Sequence, residues 1–193
     1  MRKIMLMALC FLVLGSTAFA LDMVIGGGGL YGWTLEQYDH YDENHSLTDH
    51  QDNNASVYGG FVFFGLSRYM EASISVVLEN NAREWRSEPG EIYEDSGSKV
   101  GISLYLKYPL TLGSNFVFFP TAGADLQNNY GGLDLWFRGG LGVDIFFGQS
   151  VFLRAQAIYG VGFMQIYKGA LAEGTTALPA HGPLFKLGFG WMY

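Results

Sequence analysis

Residues 69–79 read YMEASISVVLE. Met70, Ala72, Ile74, Val76 and Leu78 fall on one side of an extended chain, and Glu71, Ser73, Ser75 and Glu79 fall on the other. A period of two sustained over this length marks a β-strand with one apolar face and one polar or small face. The pattern recurs at 99–107, where Val100, Ile102, Leu104 and Leu106 alternate with Lys99, Gly101, Ser103 and Lys107. It recurs at 135–147 (LWFRGGLGVDIFF), with Leu135, Phe137, Leu141, Val143 and Ile145 set against Arg138, Gly140, Gly142 and Asp144. Extended along the chain, this reading predicts eight strands near 23–35, 56–65, 69–79, 99–108, 116–126, 135–147, 151–161 and 183–193. No internal repeat and no sustained helical period competes with it.

The remainder of the composition narrows the class. A chain of 193 residues is one domain by length. Its 27 Gly follow no G-X-Y period, and its 15 Phe and 12 Tyr argue against disorder. A formal charge of -7 excludes a binder that works by neutralising nucleic-acid phosphates. Residues 1–20 carry Arg2 and Lys3, an apolar run from Ile4 to Leu14, and a small-x-small end at Ala18-Phe19-Ala20. They read as a secretory signal peptide, because the run is too short to cross a bilayer as a helix. The single Cys, Cys10, lies inside that run, so the mature chain 21–193 can form no disulfide.

The predicted connections alternate in length. Those at 66–67, 109–115 and 148–150 are short, those at 36–55, 80–98 and 162–182 are long, and 127–134 is intermediate. Two unlike rims of this kind are a property of outer-membrane barrels, whose strands need about 9–11 residues to cross the bilayer. Alternation alone fits a soluble sandwich equally well, so other features decide. Aromatic residues gather near the strand ends (Tyr31, Trp33, Tyr69, Tyr108, Phe116, Trp136, Phe146, Phe147 and Tyr159), as interfacial girdles do. Glycine and small residues crowd the polar face, which suits a narrow, filled interior. The chain also ends on an aromatic strand.

That strand, PLFKLGFGWMY at 183–193, sets Phe185, Leu187, Phe189, Trp191 and Tyr193 on one face. It resembles the C-terminal assembly signal of outer-membrane barrels, with Tyr193 where Phe is usual. In length, strand count and loop asymmetry, residues 21–193 resemble the small OmpA/OmpX-type proteins. The resemblance implies an all-β, eight-stranded antiparallel up-and-down transmembrane β-barrel in a bacterial outer membrane, with both termini in the periplasm. It also implies contact with outer-membrane lipids and with the barrel-assembly machinery through the last strand, and a monomeric state.

Four constellations could carry chemistry. Gly27-Gly28-Gly29-Leu30-Tyr31-Gly32 matches G-x-G-x-x-G but lacks the preceding buried strand and following helix that a dinucleotide site needs. The first long loop gathers His40, Asp42, Glu43, His45, Asp49, His50 and Asp52, sound metal ligands in a spacing that matches no motif and reads as a solvated acidic rim. His181 lies near the outer rim, yet no Ser between it and Ser150 could complete a lipid hydrolase. The fourth is an interior charge network of Glu71, Glu79, Lys99, Lys107, Asp125, Arg138, Asp144, Arg154 and Lys186. Such charges are costly inside a barrel unless paired. A three-residue turn centred on Gln149 sets Asp144 opposite Arg154 and Phe146 opposite Phe152. A matching register between the third and fourth strands would set Glu71 opposite Lys107 and Glu79 opposite Lys99. Inward Tyr105, Trp136, Arg138, Phe152 and Arg154 are expected to fill the lumen. The expected function is therefore non-enzymatic, without cofactor or nucleic acid: an envelope barrel whose acidic loops meet an extracellular partner. A small gated pore is the alternative, and an outer-leaflet lipid-modifying enzyme stands behind it.

Overall fold

The computed structural model describes residues 23–42, 46–85, 91–129, 132–163, 175–177 and 179–193. These form ten strands: β1 (Val24–Tyr41), β2 (Leu47–Ser67), β3 (Met70–Trp85), β4 (Ile92–Lys107), β5 (Leu110–Leu112), β6 (Phe116–Asn129), β7 (Gly132–Phe147), β8 (Val151–Phe163), β9 (Thr175–Ala177) and β10 (Ala180–Met192). Eight of them pair antiparallel with their sequence neighbours in the ring, and β10 returns to β1 over Val24↔Met192 to Leu35↔His181. The sheet closes into an up-and-down barrel, which leaves no open edge. At the seam Gly26 stands across from Gly190 and Gly28 from Gly188, and the Tyr193 N–H donates to the Met23 carbonyl at 2.9 Å.

The two additional strands have local causes. Pro109 has no N–H to give the ladder, and pairing with β6 breaks at Tyr108-Pro109 before β5 resumes it as a small hairpin. Gly113 (φ 74°) turns that hairpin, and Gly148 (φ 81°) opens the turn between β7 and β8, both left-handed positions that favour glycine. Strand β9 lies along β1 at Tyr38–His40. The signal peptide expected at 1–20 lies outside the described residues.

The expected long loops are a correction. Most of 36–55 is ladder: β1 and β2 stay paired from Val24↔Gly65 up to Tyr41↔Leu47. Strands β3 and β4 likewise pair up to Glu84↔Ile92 inside the expected 80–98 loop. Backbone pairing does not require an apolar outer face. Where the wall rises out of lipid its outward side chains turn polar, and the period-two signal fades while the hydrogen bonds continue.

The wall sorts its side chains strictly. Outward positions carry Ile25, Val62, Ile74, Val76, Leu104, Leu141, Leu187 and Phe189, all exposed. Inward positions carry buried Leu30, Phe61, Phe63, Tyr105, Phe119, Phe152 and Ile158 alongside the charged residues. Such inversion of the soluble pattern places the outer face in lipid. Phe146 leaves the expected girdle and packs against the interior cluster, and Trp136, placed both in the girdle and in the lumen by the sequence, is buried inside at 3% exposure. Inner-face glycines make room for these rings. A Cβ on Gly142 would stand 2.3 Å from Phe119, one on Gly162 2.5 Å from Trp136, and one on Gly190 2.1 Å from Phe152.

Candidate functional site: the charged lumen

The β7–β8 register follows directly from the short turn, and Asp144 stands across from Arg154. Arg154 is 1% exposed. Its Nε donates to Asp144 Oδ1 and its Nη2 to Asp144 Oδ2, each at 2.6 Å, a bidentate pair. Its Nη1 donates to Glu71, and Lys107 Nζ donates to the same Glu71 oxygen at 3.0 Å. The guanidinium sits over the rings of Phe63 (4.3 Å), Phe119 (5.1 Å) and Phe152 (5.1 Å). Three ring faces thus replace part of the lost hydration, and both carboxylates take up the charge.

One layer further from the short turns, Asp125 accepts from Arg138 Nε and from the Tyr105 hydroxyl, both at 2.6 Å. Arg138 lies 4.4 Å over the Trp136 ring. Lys186 faces the rings of Tyr105 (4.9 Å) and Phe61 (5.4 Å), and among the described residues no carboxylate comes within ion-pair distance of it. The cavity bounded by Lys186, Trp136, Arg138, Ser103 and Leu30 has a volume of about 20 Å³, room for a single water.

Toward the long-loop rim the chemistry changes. Lys99 Nζ lies 2.5 Å from Glu79 and 3.9 Å from Asp134. Glu36, also buried, accepts from Asn53 Nδ2 (2.8 Å) and from the Tyr38 hydroxyl (3.2 Å), and Asn81 Nδ2 donates to Asp95 at 2.9 Å. These bonds fix both amide orientations, and among the described residues no donor reaches the buried Oδ1 of Asn53 or of Asn81.

The pairs expected between the third and fourth strands meet in a register different from the expected one. Glu71 stands across from Tyr105 and Glu79 from Gly97. Each Glu reaches its Lys diagonally, two residues along the neighbouring strand, a separation that long side chains span. Asp134, Glu36, Asn53 and Asn81 escaped the sequence reading because their segments were read as loop. Parity held the signal: stepping by two from buried Leu30 passes Thr34 and arrives at Glu36.

The described part of the acidic stretch belongs to the β1–β2 ladder and is not the loop expected. His50 stands across from Asp39 on β1, with Nδ1 2.7 Å from Asp39 and Nε2 3.3 Å from Asp52. The hydrogen bond that His50 donates to the Asp39 carboxylate raises the His50 pKa, and the Asp52 charge adds to it. Among the described residues no three of His, Cys, Asp and Glu are placed to hold a metal ion; Glu43 and His45 lie outside them. His181 Nδ1 is 2.7 Å from the Tyr159 hydroxyl, a pair that sits away from the lumen charges. The Gly27–Gly32 run is part of β1, with no helix after it.

No protein-family model matches the sequence, and no curated protein does. Solved structures do match. The outer membrane protein OprG from Pseudomonas aeruginosa superposes with a TM-score of 0.57 at 12% identity, over 90% of this chain and 96% of that one. The outer membrane protease OmpT from Escherichia coli gives 0.47 at 9% identity, over 93% of this chain and 100% of that one. The N-terminal β-barrel domain of Pseudomonas aeruginosa OprF gives 0.42 at 15% identity, over 86% and 99%. At such identities the likeness to OprG speaks to fold alone, and it agrees with the closed wall and its lipid-facing belt. The chain is an all-β, antiparallel, eight-stranded up-and-down barrel with a lipid-facing outer wall, the fold it shares with OprG.

Proposed function

We propose that this barrel is a non-enzymatic component of the outer membrane, with a closed lumen and an acidic rim presented to an extracellular partner. The observation that carries the reading is the filled interior: a lumen cavity of about 20 Å³, set among ion pairs and rings, is too small for a solute larger than water. The reading includes removal of residues 1–20, insertion by assembly machinery that reads the aromatic face of β10, and a monomeric barrel with its short turns in the periplasm. Planar-bilayer recording tests it. The wild-type protein is expected to show no sustained conductance, and a steady porin-scale current would overturn the reading.

A small gated channel is the second reading, favoured by Lys186. A buried ammonium that no carboxylate among the described residues approaches within ion-pair distance is what a water path, rather than a static filling, would tolerate. Brief openings that vanish in Lys186→Met would favour it.

A further inference from the structure

Three cations border the small luminal cavity, and two of them have a carboxylate partner that borders it too. Arg138 Nε donates to Asp125 at 2.6 Å, and Lys99 Nζ lies 2.5 Å from Glu79. Lys186 is the third. It stands on β10 across from Leu30 of β1 and Gln156 of β8, is 6% exposed, and has no carboxylate within ion-pair distance among the described residues. The rings of Tyr105 and Phe61 give its Nζ a cation–π contact but no lone pair for its three N–H groups. The carboxylates around it are engaged elsewhere. The second oxygen of Asp125 accepts from the Tyr105 hydroxyl, Glu71 holds Arg154 and Lys107, and Asp134 lies 3.9 Å from Lys99.

The unspent groups at this cavity are donors. Lys186 offers its ammonium, and Trp136, which also borders the cavity, keeps a buried Nε1–H without an acceptor among the described residues. The hydroxyls of Ser75 and Ser103 border it as well and can turn toward an acceptor. A water there leaves the charge of Lys186 uncompensated and brings two donors of its own. A monoatomic anion accepts from every side and carries the missing charge. Size excludes larger anions, because about 20 Å³ holds one atom of this kind and not acetate, phosphate or sulfate. We infer that the lumen binds one chloride ion in this cavity as the counterion of Lys186. The site needs only the cavity and its lining, so it stands whether or not the lumen also opens, a question that conductance decides separately.

Diffraction at the bromine absorption edge, from crystals of the full barrel grown in sodium bromide, tests this. One anomalous peak is expected in the cavity beside Lys186 Nζ, and none there in Lys186→Met or Lys186→Gln. Unheated gel migration reports whether each variant folds. In solution the same ion is expected to stabilise the barrel. Above its dissociation constant, each tenfold rise in chloride should lower the unfolding equilibrium constant of the wild type about tenfold, against gluconate at the same ionic strength, and leave the folded variants unchanged. Gluconate is too large for the cavity, so the comparison holds screening constant and removes only the ligand. Absence of a luminal peak, bromide confined to the protein surface, or equal wild-type stability in chloride and gluconate would overturn the inference. So would a luminal peak that persists in a folded variant.

Discussion

The lumen has two regions that handle buried charge in opposite ways. Near the short turns Glu71, Asp125 and Asp144 face Lys107, Arg138, Arg154 and Lys186, a surplus of cations cushioned on aromatic rings. Near the long-loop rim Lys99 lies beside Glu79 and Asp134, while buried Glu36 is held by the Asn53 amide and the Tyr38 hydroxyl. Ring faces stabilise cations and neutral N–H and O–H donors stabilise carboxylates, so the two regions set their charges against different neutral groups. The difference teaches that the neutral residues of a barrel core are matched to the charge they stand beside.

The strongest way to break this picture is at Arg154. Arg154→Met leaves Asp144 buried without its bidentate partner and is expected to cost about 3–5 kcal/mol in urea unfolding from lipid vesicles. Asp144→Leu with Arg154→Met is expected to cost less than the single change, because no orphaned carboxylate remains there and Glu71 keeps Lys107. Simple additivity of the two penalties would show that the pair is not coupled.

A smaller effect separates the regions by sign. Neutralising one carboxylate is expected to destabilise the barrel near the short turns and stabilise it near the other rim. Asp144→Asn should lose about 1–3 kcal/mol. Glu36→Gln keeps an acceptor for Asn53 and removes a buried charge held by neutral donors, and should gain about 1 kcal/mol on the scale of a single buried charge contact. Destabilisation in both variants would mean that the surroundings of Glu36 favour its charged form as those of Asp144 do.

The smallest effect lies outside the lumen, on the β1–β2 hairpin. The folded state raises the His50 pKa, so imidazolium bonding to Asp39 and Asp52 is fully present below the ordinary value of 6.5, with both carboxylates ionised, and is lost as the pH rises through the raised one. Amide exchange at the hairpin tip should therefore speed up across that window in wild type and stay level in His50→Gln. A flat wild-type profile would contradict the assignment.

How far the sequence carried depends on what each residue faced. The strands in lipid were legible because outward apolar and inward polar residues alternate, as at Glu71–Glu79. The Asp144–Arg154 pair was legible because a three-residue turn leaves one register. The Glu71 and Glu79 partners were named correctly but placed two residues away, since a connection as long as 80–98 imposes no register and long side chains reach diagonally. Glu36 and Asp134 were missed for a different reason. Both sit at strand ends that were read as connections: past Glu36 the outward residues turn polar from Gln37 onward, and Asp134 stands one residue before the expected strand start at Leu135.

The glycine-lined seam between β1 and β10 bears on how the protein is made. Its two strands lie at opposite ends of the chain, so their pairing is the contact with the greatest loop to close and the natural last step of assembly. Across Gly26↔Gly190 and Gly28↔Gly188 there are no side chains to interlock, and a Cβ on Gly28 would strike the Leu187 carbonyl at 2.0 Å. On the inner face at these positions the closure is made by backbone hydrogen bonds, while side chains meet across the seam on its outer face, where the Trp33 ring lies 6.0 Å from that of Phe185.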